Sequence, residues 1–347
     1  MSTPVSETIE ECLTSLRWTS TAENIRRPSF YICIVASFIH AIFWLQFALF
    51  PMIRHKAMQW IYAYLLTDIV LLARLLFLYS VRSRSTICNP SYSWFQFVCY
   101  VDSFVDNYIN VLQVYIFLAL NFCRYIQIVY NRNPYVRYRN HIVAAHISIY
   151  FCPFILLLGQ FFIGWSKVVI IPGDSCDVTY ANIYIKCLNV LFIFAIPIGL
   201  NLILIFISVH HVRKATRNRT LQQRHQLSAR EKYNRSLVIQ FLCFYAIWIS
   251  LWSPNVIMYQ FMNGMPILIT YARLLNYIEI ALDPFIIVAL DVRFGQPWKK
   301  IWLYLKIKSR LDRVQPGGQQ RPATTERPIV TIEQLRRTGD TPVIRPN

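Results

Sequence analysis

Long apolar runs separated by short polar stretches dominate this chain, at roughly 29 to 53, 57 to 81, 95 to 130, 141 to 164, 183 to 209, 236 to 262 and 267 to 290. Each is long enough to cross about 30 Å of hydrocarbon as a helix. The pattern predicts an all-α, integral membrane bundle of seven transmembrane helices. The third run exceeds what one crossing needs, so it is expected to tilt strongly or to project past the bilayer at one end. After the seventh, DVRFGQPWKKIWLYLKI reads as a short amphipathic helix. Phe294, Trp298, Ile301 and Trp302 would face lipid there, and Lys299, Lys300 and Lys306 would face phosphate.

Composition agrees with the membrane and decides what the charge means. Apolar residues make up 55% of the 347-residue chain and charged residues 15%, against roughly 25% charged in an ordinary globular protein. The net charge of +18 would suggest nucleic acid in a soluble protein. Here it lies in connecting segments and the tail, which fits loops beside anionic lipid and makes lipid, not nucleic acid, the expected partner. One set of segments carries Arg54 and Lys56, Arg132, Arg137 and Arg139, a basic loop from Arg213 to Arg235, and the tail; the opposite set is poor in Lys and Arg. The chain is therefore expected in the plasma membrane with its N-terminus outside. The first residues lack the basic start and apolar core of a signal peptide. Three regions follow: an extracellular segment over 1–28, a membrane domain over 29–305, and a disordered basic cytoplasmic tail over 306–347. There is no internal repeat, and an odd number of spans fits poorly with two inverted halves.

Several residues sit at telling places in these spans. Cys99 opens the third span and Cys176 lies in GDSCDVTY, between the fourth and fifth. Cys123, Arg124 and Tyr125 close the third span, with Arg124 twenty-five residues after Cys99. That is about 37 Å of helix, which puts one residue at each face of the membrane. The sixth span contains LWSP, Leu251 to Pro254; the fifth contains Pro197 in FAIPIGL; the seventh contains Asp283 and Pro284 in LDPFIIVAL; Asp68 lies mid-span in the second. In this order the landmarks resemble the rhodopsin-like class of G-protein-coupled receptors, over most of residues 29 to 305.

The resemblance implies a disulfide between Cys99 and Cys176. It implies a switch arginine at Arg124, a hinge at Trp252 and Pro254, and a buried carboxylate at Asp68 that binds sodium in many members. Glu279 and Asp283 should face Asp68. Three carboxylates in one dry space cannot all be ionised without a cation, so either sodium sits among them or one or two are protonated. The alternative is a carboxylate paired structurally with Arg74 or a backbone group. No cofactor is otherwise expected. Departures are also plain. Cys123 replaces the acid beside the arginine, and Asn234 replaces an acid that many members keep opposite it. Ile205 and Ile287 replace two activation tyrosines. The first span has Phe38 and His40 near the place of an asparagine, the fourth lacks a tryptophan, and Gln113 replaces a serine. With no acid at either position to hold Arg124, raised basal activity is expected.

For a ligand, Asp102 and Asp106 are four residues apart on one helical face, and Asn110 lies a turn deeper. By the resemblance Asp106 matches the aspartate that pairs with ammonium groups, and Tyr277 the tyrosine that steadies it. The alternative is that Asp106 pairs with Arg74 or Arg273. Asn255 follows the hinge proline where amine receptors have an aromatic, and Arg273 suits a carboxylate or a peptide terminus. A peptide is therefore favoured over a monoamine. The seventh span has no lysine for a retinal Schiff base. The expected partners are a heterotrimeric G protein and an extracellular peptide or small ligand. Cys12 and Cys88 are both outside and could pair. The competing readings are an ion- or proton-coupled transporter or channel and a receptor-like protein that does not signal. An enzyme is not expected, because the buried acids lack the His or Cys clustering of a metal site.

Overall fold

The computed structural model describes residues 16–51, 54, 58–83, 91–130, 132–170, 176–220, 238–239, 242–255, 266–290 and 306. Residues 1 to 297 form one compact unit and 298 to 347 another; of the second, only Lys306 is described, as helical and exposed. The expected amphipathic helix, the tail, Cys12, Cys88 and Asn234 therefore lie outside the described residues.

Helix α1 (Ser20–Leu49) starts nine residues before the first apolar run. Thr19 accepts a hydrogen bond from the Ala22 amide at 3.3 Å and Glu23 sits in the first turn, which favours helix initiation ahead of the hydrophobic stretch. At the other end, Arg54 donates to the carbonyls of Phe47 (3.1 Å) and Ala48, satisfying acceptors that the last turn leaves open. Helix α2 (Gln59–Ser83) runs two residues past its expected end. Helix α3 (Tyr92–Val129) is 38 residues long, about 57 Å at 1.5 Å per residue, and packs against α2 and against six later elements. A single turn, α4 (Pro134–Arg137), is started by Asn133, whose side chain accepts from the Tyr135 amide.

Helix α5 (Arg139–Phe162) ends at Gly164, whose φ of +79° is open to glycine without strain. The chain then enters an antiparallel hairpin, β1 (Ser166–Ile170) and β2 (Cys176–Tyr180), paired in register from Ser166 and Tyr180 to Ile170 and Cys176. This hairpin is the departure from an all-α fold. The fifth span consists of α6 (Ile183–Asn189), a π-helical turn over Val190–Ala195, and α7 (Ile196–Thr220). Pro197 has no N–H for Ile193, so the ladder slips there, and the Ile196 amide reaches back to Leu191, a widened turn. Residues 242–255 form α8 and Pro266–Leu290 form α9.

Among the described residues five helices are long and apolar enough to cross a membrane; α8 and α9 complete the seven-helix bundle. Lipid offers helices no hydrophobic drive to associate, so close packing and inter-helix hydrogen bonds hold such bundles together. Here His40 joins α1 to the Ile280 carbonyl of α9 at 3.0 Å. Gln160 and Asn189 exchange two amide hydrogen bonds, 2.8 and 3.1 Å, between α5 and α6. Asn121 donates to Asn201 at 2.6 Å between α3 and α7. The core is a run of rings in the middle of the bundle: Phe117 stacks on Trp248 (5.1 Å), and Trp248 on Trp252 (4.6 Å). Phe38 points outward, so His40 is the residue of that pair that turns into the bundle.

Candidate functional site

Three groups of polar residues are strung along the bundle. The first lies at the hairpin end. Cys99 and Cys176 form a disulfide, and Asp102, one turn along α3, is surrounded by three donors. These are Arg74 Nη2 at 3.2 Å, Arg82 Nη2 at 3.1 Å and the Cys176 amide at 3.1 Å. Its side chain is 3% exposed. Arg82 also reaches the Cys176 sulfur at 3.1 Å, so the disulfide and the ion cluster fasten the hairpin at the same spot. Asp102 is thus a wall residue of the outer site, filled by protein partners. Sequence counting placed Arg82 in the loop after the second span, whereas α2 continues through Ser83 and buries it.

Arg74 also donates to the carbonyls of Val101 (3.0 Å) and Asp102, and to the Asp106 carboxylate at 2.8 Å. Of the two readings of Asp106, the structure shows the pairing with Arg74. Asn110 donates to the Asp106 carbonyl at 2.8 Å, and its Oδ1 accepts from Trp252 Nε1 at 3.2 Å. Tyr277 is buried beside Arg74, Asp106 and Arg273, and Asn255 is buried at the C-terminal end of the described part of α8. Arg273 reaches across to β2 and pairs with Asp177 at 3.1 Å. Sequence reading missed Asp177; its place directly after the anchored Cys176 was the available signal.

The second group is mid-bundle. Asp68, Glu279, Asp283 and Gln113 are almost fully buried. Gln113 donates to Asp68 at 2.6 Å and Tyr64, also unforeseen, donates to Glu279 at 2.5 Å. Asp283 stands against both Asp68 and Glu279. One oxygen on each carboxyl, and Gln113 Oε1, has no protein donor. These orphans are all acceptors, so a donor or a cation is called for: a proton shared between carboxyls, a water or a metal ion. Among the described residues, however, no three His, Cys, Asp or Glu side chains converge as a metal centre requires.

The third group is at the opposite end. Arg124 is buried and donates to Gln127 at 3.2 Å. It lines a small, half-open pocket with Asn121, Tyr125, Leu204, Ile205 and Ser208. Cys123 is buried beside Trp60 and Tyr135. Burial, and then the neighbouring thiol, pushes the Tyr135 hydroxyl well above its usual pKa, so it stays a neutral donor. The stacking partner of Trp60 is His146 of α5, at 3.7 Å. Trp252 stands between the first and third groups. Pro254 follows two residues later in α8, and Asp283 and Pro284 lie within α9.

The sequence matches the family model described as 7 transmembrane receptor (rhodopsin family) over residues 46–287. No curated protein matches. Among solved structures the fold resembles the crystal structure of squid rhodopsin, with a TM-score of 0.64 at 12% identity, covering 82% of this chain and 86% of that one.

Proposed function

We propose, from the premise that this chain belongs to the rhodopsin family of seven-transmembrane receptors, that it binds an extracellular ligand at the hairpin end and activates a heterotrimeric G protein at the Arg124 end. The chain is a multi-pass membrane receptor coupled to G proteins, not an enzyme. The finer reading places the N-terminus outside, the receptor in the plasma membrane, and a peptide rather than a monoamine in the site. Squid rhodopsin shares the fold alone, because α9 has no lysine for a retinal Schiff base.

The observation that carries this reading is the continuity between the two ends. Asn110, whose neighbours line the outer site, accepts a hydrogen bond from Trp252. Trp252 stacks on Trp248, and Trp248 on Phe117 of α3. One turn further along α3 comes Asn121, and two turns further Arg124. A ligand that moves Asn110 or Trp252 changes a stacked column that ends near the Arg124 cavity, and Pro254 lets the two halves of α8 move separately. Opening of the sixth helix then exposes Arg124 to the partner. The population shift equals the ligand's preference for the open state. The buried carboxyls are held by shared protons in this reading, and sodium is not needed.

The test is nucleotide exchange on a panel of G proteins, with basal and peptide-library-driven rates compared between the parent chain and Arg124→Ala. Loss of exchange in the variant is expected. Equal rates in both would remove the mechanism at this arginine.

A further inference from the structure

The charged groups at the hairpin end pair off, acid with arginine, and the pairs differ in how firmly they are held. Asp102 and Arg74 are 3% and 6% exposed. An ammonium ligand aimed at Asp102 or Asp106 would have to displace the buried Arg74 guanidinium from one of its two carboxylates, which is costly. The Arg273 and Asp177 side chains are 16% and 24% exposed. Water reaches this pair, so it is the one that can exchange its partner.

Its two members are not equivalent. Arg273 is on a transmembrane helix with Tyr277 one turn below, and Arg74 is near enough to feel its charge. Asp177 is on a hairpin strand where Cys176 and Val178 face inward and Asp177 faces the other way. The Asp177 side chain can swing away while its backbone stays fastened at Cys176. If Asp177 leaves, Arg74 keeps Asp102 and Asp106, and the carboxylate withdrawn from Arg273 can be supplied by another acid.

We propose that Asp177 is an internal occupant of a carboxylate subsite on Arg273, and that the ligand of this receptor carries a carboxylate, such as a peptide's free C-terminus, which takes its place. The inference rests on the receptor reading above for the word ligand, though the exchange itself does not depend on a G protein. Arg273 offers a planar fork of donors that fits a carboxylate from either source. Asp177 thereby does two things. It keeps the arginine compensated in the resting chain, and it sets a threshold that an incoming acid must exceed. Because the neighbouring Cys176 is fixed by its disulfide and by the Asp102 cluster, the occupant is presented at a defined place.

The experiment uses the purified full chain in lipid nanodiscs without G protein, and reads Tm against N-benzoylglycine, its amide, benzylamine and phenyl phosphate. In Asp177→Asn, which removes the competitor, millimolar N-benzoylglycine is expected to raise Tm, with the other three giving smaller shifts or none. The parent chain should need about tenfold more acid for the same shift, the scale of one charge-assisted contact. Arg273→Gln should abolish the response in both backgrounds. Correct folding is checked by the Cys99–Cys176 disulfide on a non-reducing gel, and Asp177→Ser replaces the asparagine variant if that one does not fold. Equal shifts with acid and amide, a larger shift with benzylamine or the phosphate, or no acid response in the Asp177 variant overturns the proposal. Failure of Arg124→Ala to change nucleotide exchange would instead strike the receptor reading and leave the acid-over-amide contrast standing.

Discussion

Removing the Asp102 carboxylate should destabilise the bundle more than removing any other charge at the hairpin end. In Asp102→Ala, Arg82 loses its carboxylate and the Cys176 amide loses its acceptor, while Arg74 keeps Asp106 and two backbone carbonyls. Breaking a buried ion pair by deleting one partner costs about 3 to 5 kcal/mol, because the remaining charge stays buried. At roughly 2 to 4 °C per kcal/mol, that is a fall in Tm of about 6 to 20 °C. Asp106→Ala is the control. Its carboxylate is 21% exposed, and Arg74 retains Asp102, so about 1 kcal/mol and a fall of a few degrees are expected. Asp102→Asn still accepts from the Cys176 amide and should lie between the two. Thermal unfolding of the purified protein in nanodiscs, followed by tryptophan fluorescence, gives all three values. If Asp102→Ala falls no further than Asp106→Ala, Asp102 does not fasten the hairpin and the assignment of it as a wall residue fails.

Three further outcomes are expected. Cys123→Asp puts a carboxylate beside Arg124 and the neutral Tyr135 hydroxyl, and should lower basal nucleotide exchange; an unchanged rate would show that the resting state is held elsewhere. Asn189→Leu strands the Gln160 amide in the bundle and should cost about 1 to 2 kcal/mol, read as a lower Tm, whereas Gln160→Leu with Asn189→Leu should recover most of it. Replacing NaCl by KCl at equal ionic strength should leave Tm unchanged if shared protons satisfy Asp68, Glu279 and Asp283, and a clear drop would return sodium to that site.

The spans were legible because lipid demands long apolar runs. The third run, expected over 95–130, differs from α3 by a few residues at its start. The first was read as starting at 29 because hydropathy does not register Thr19 and Glu23, which begin the helix at Ser20. The hairpin was not legible. Its strands are five residues each, and the residues joining them mix turn formers with apolar residues. The site was legible as positions but not as pairings. That Asp102 and Asp106 share a face follows from the helix repeat; that Asp102 meets Arg82 depends on where α2 ends and how it is rotated, which only packing decides. The same holds for Glu279. Its nearness to Asp68 was readable from the second and seventh spans, but its partner Tyr64 sits one turn before Asp68 at a position with no polar signature.

The Trp248 and Trp252 indoles lie 4.6 Å apart at an angle of 17°, fully enclosed. Two chromophores so close and nearly parallel share their excited states, and the near-ultraviolet dichroism of the unlabelled protein should contain a coupled band from this pair. Pro254 cannot donate to the Ser250 carbonyl, which lies between the two rings, so a change of bend there would alter their spacing and weaken that band. The receptor therefore carries a native optical gauge of its own hinge, readable in a cuvette without dyes, mutations or a known agonist.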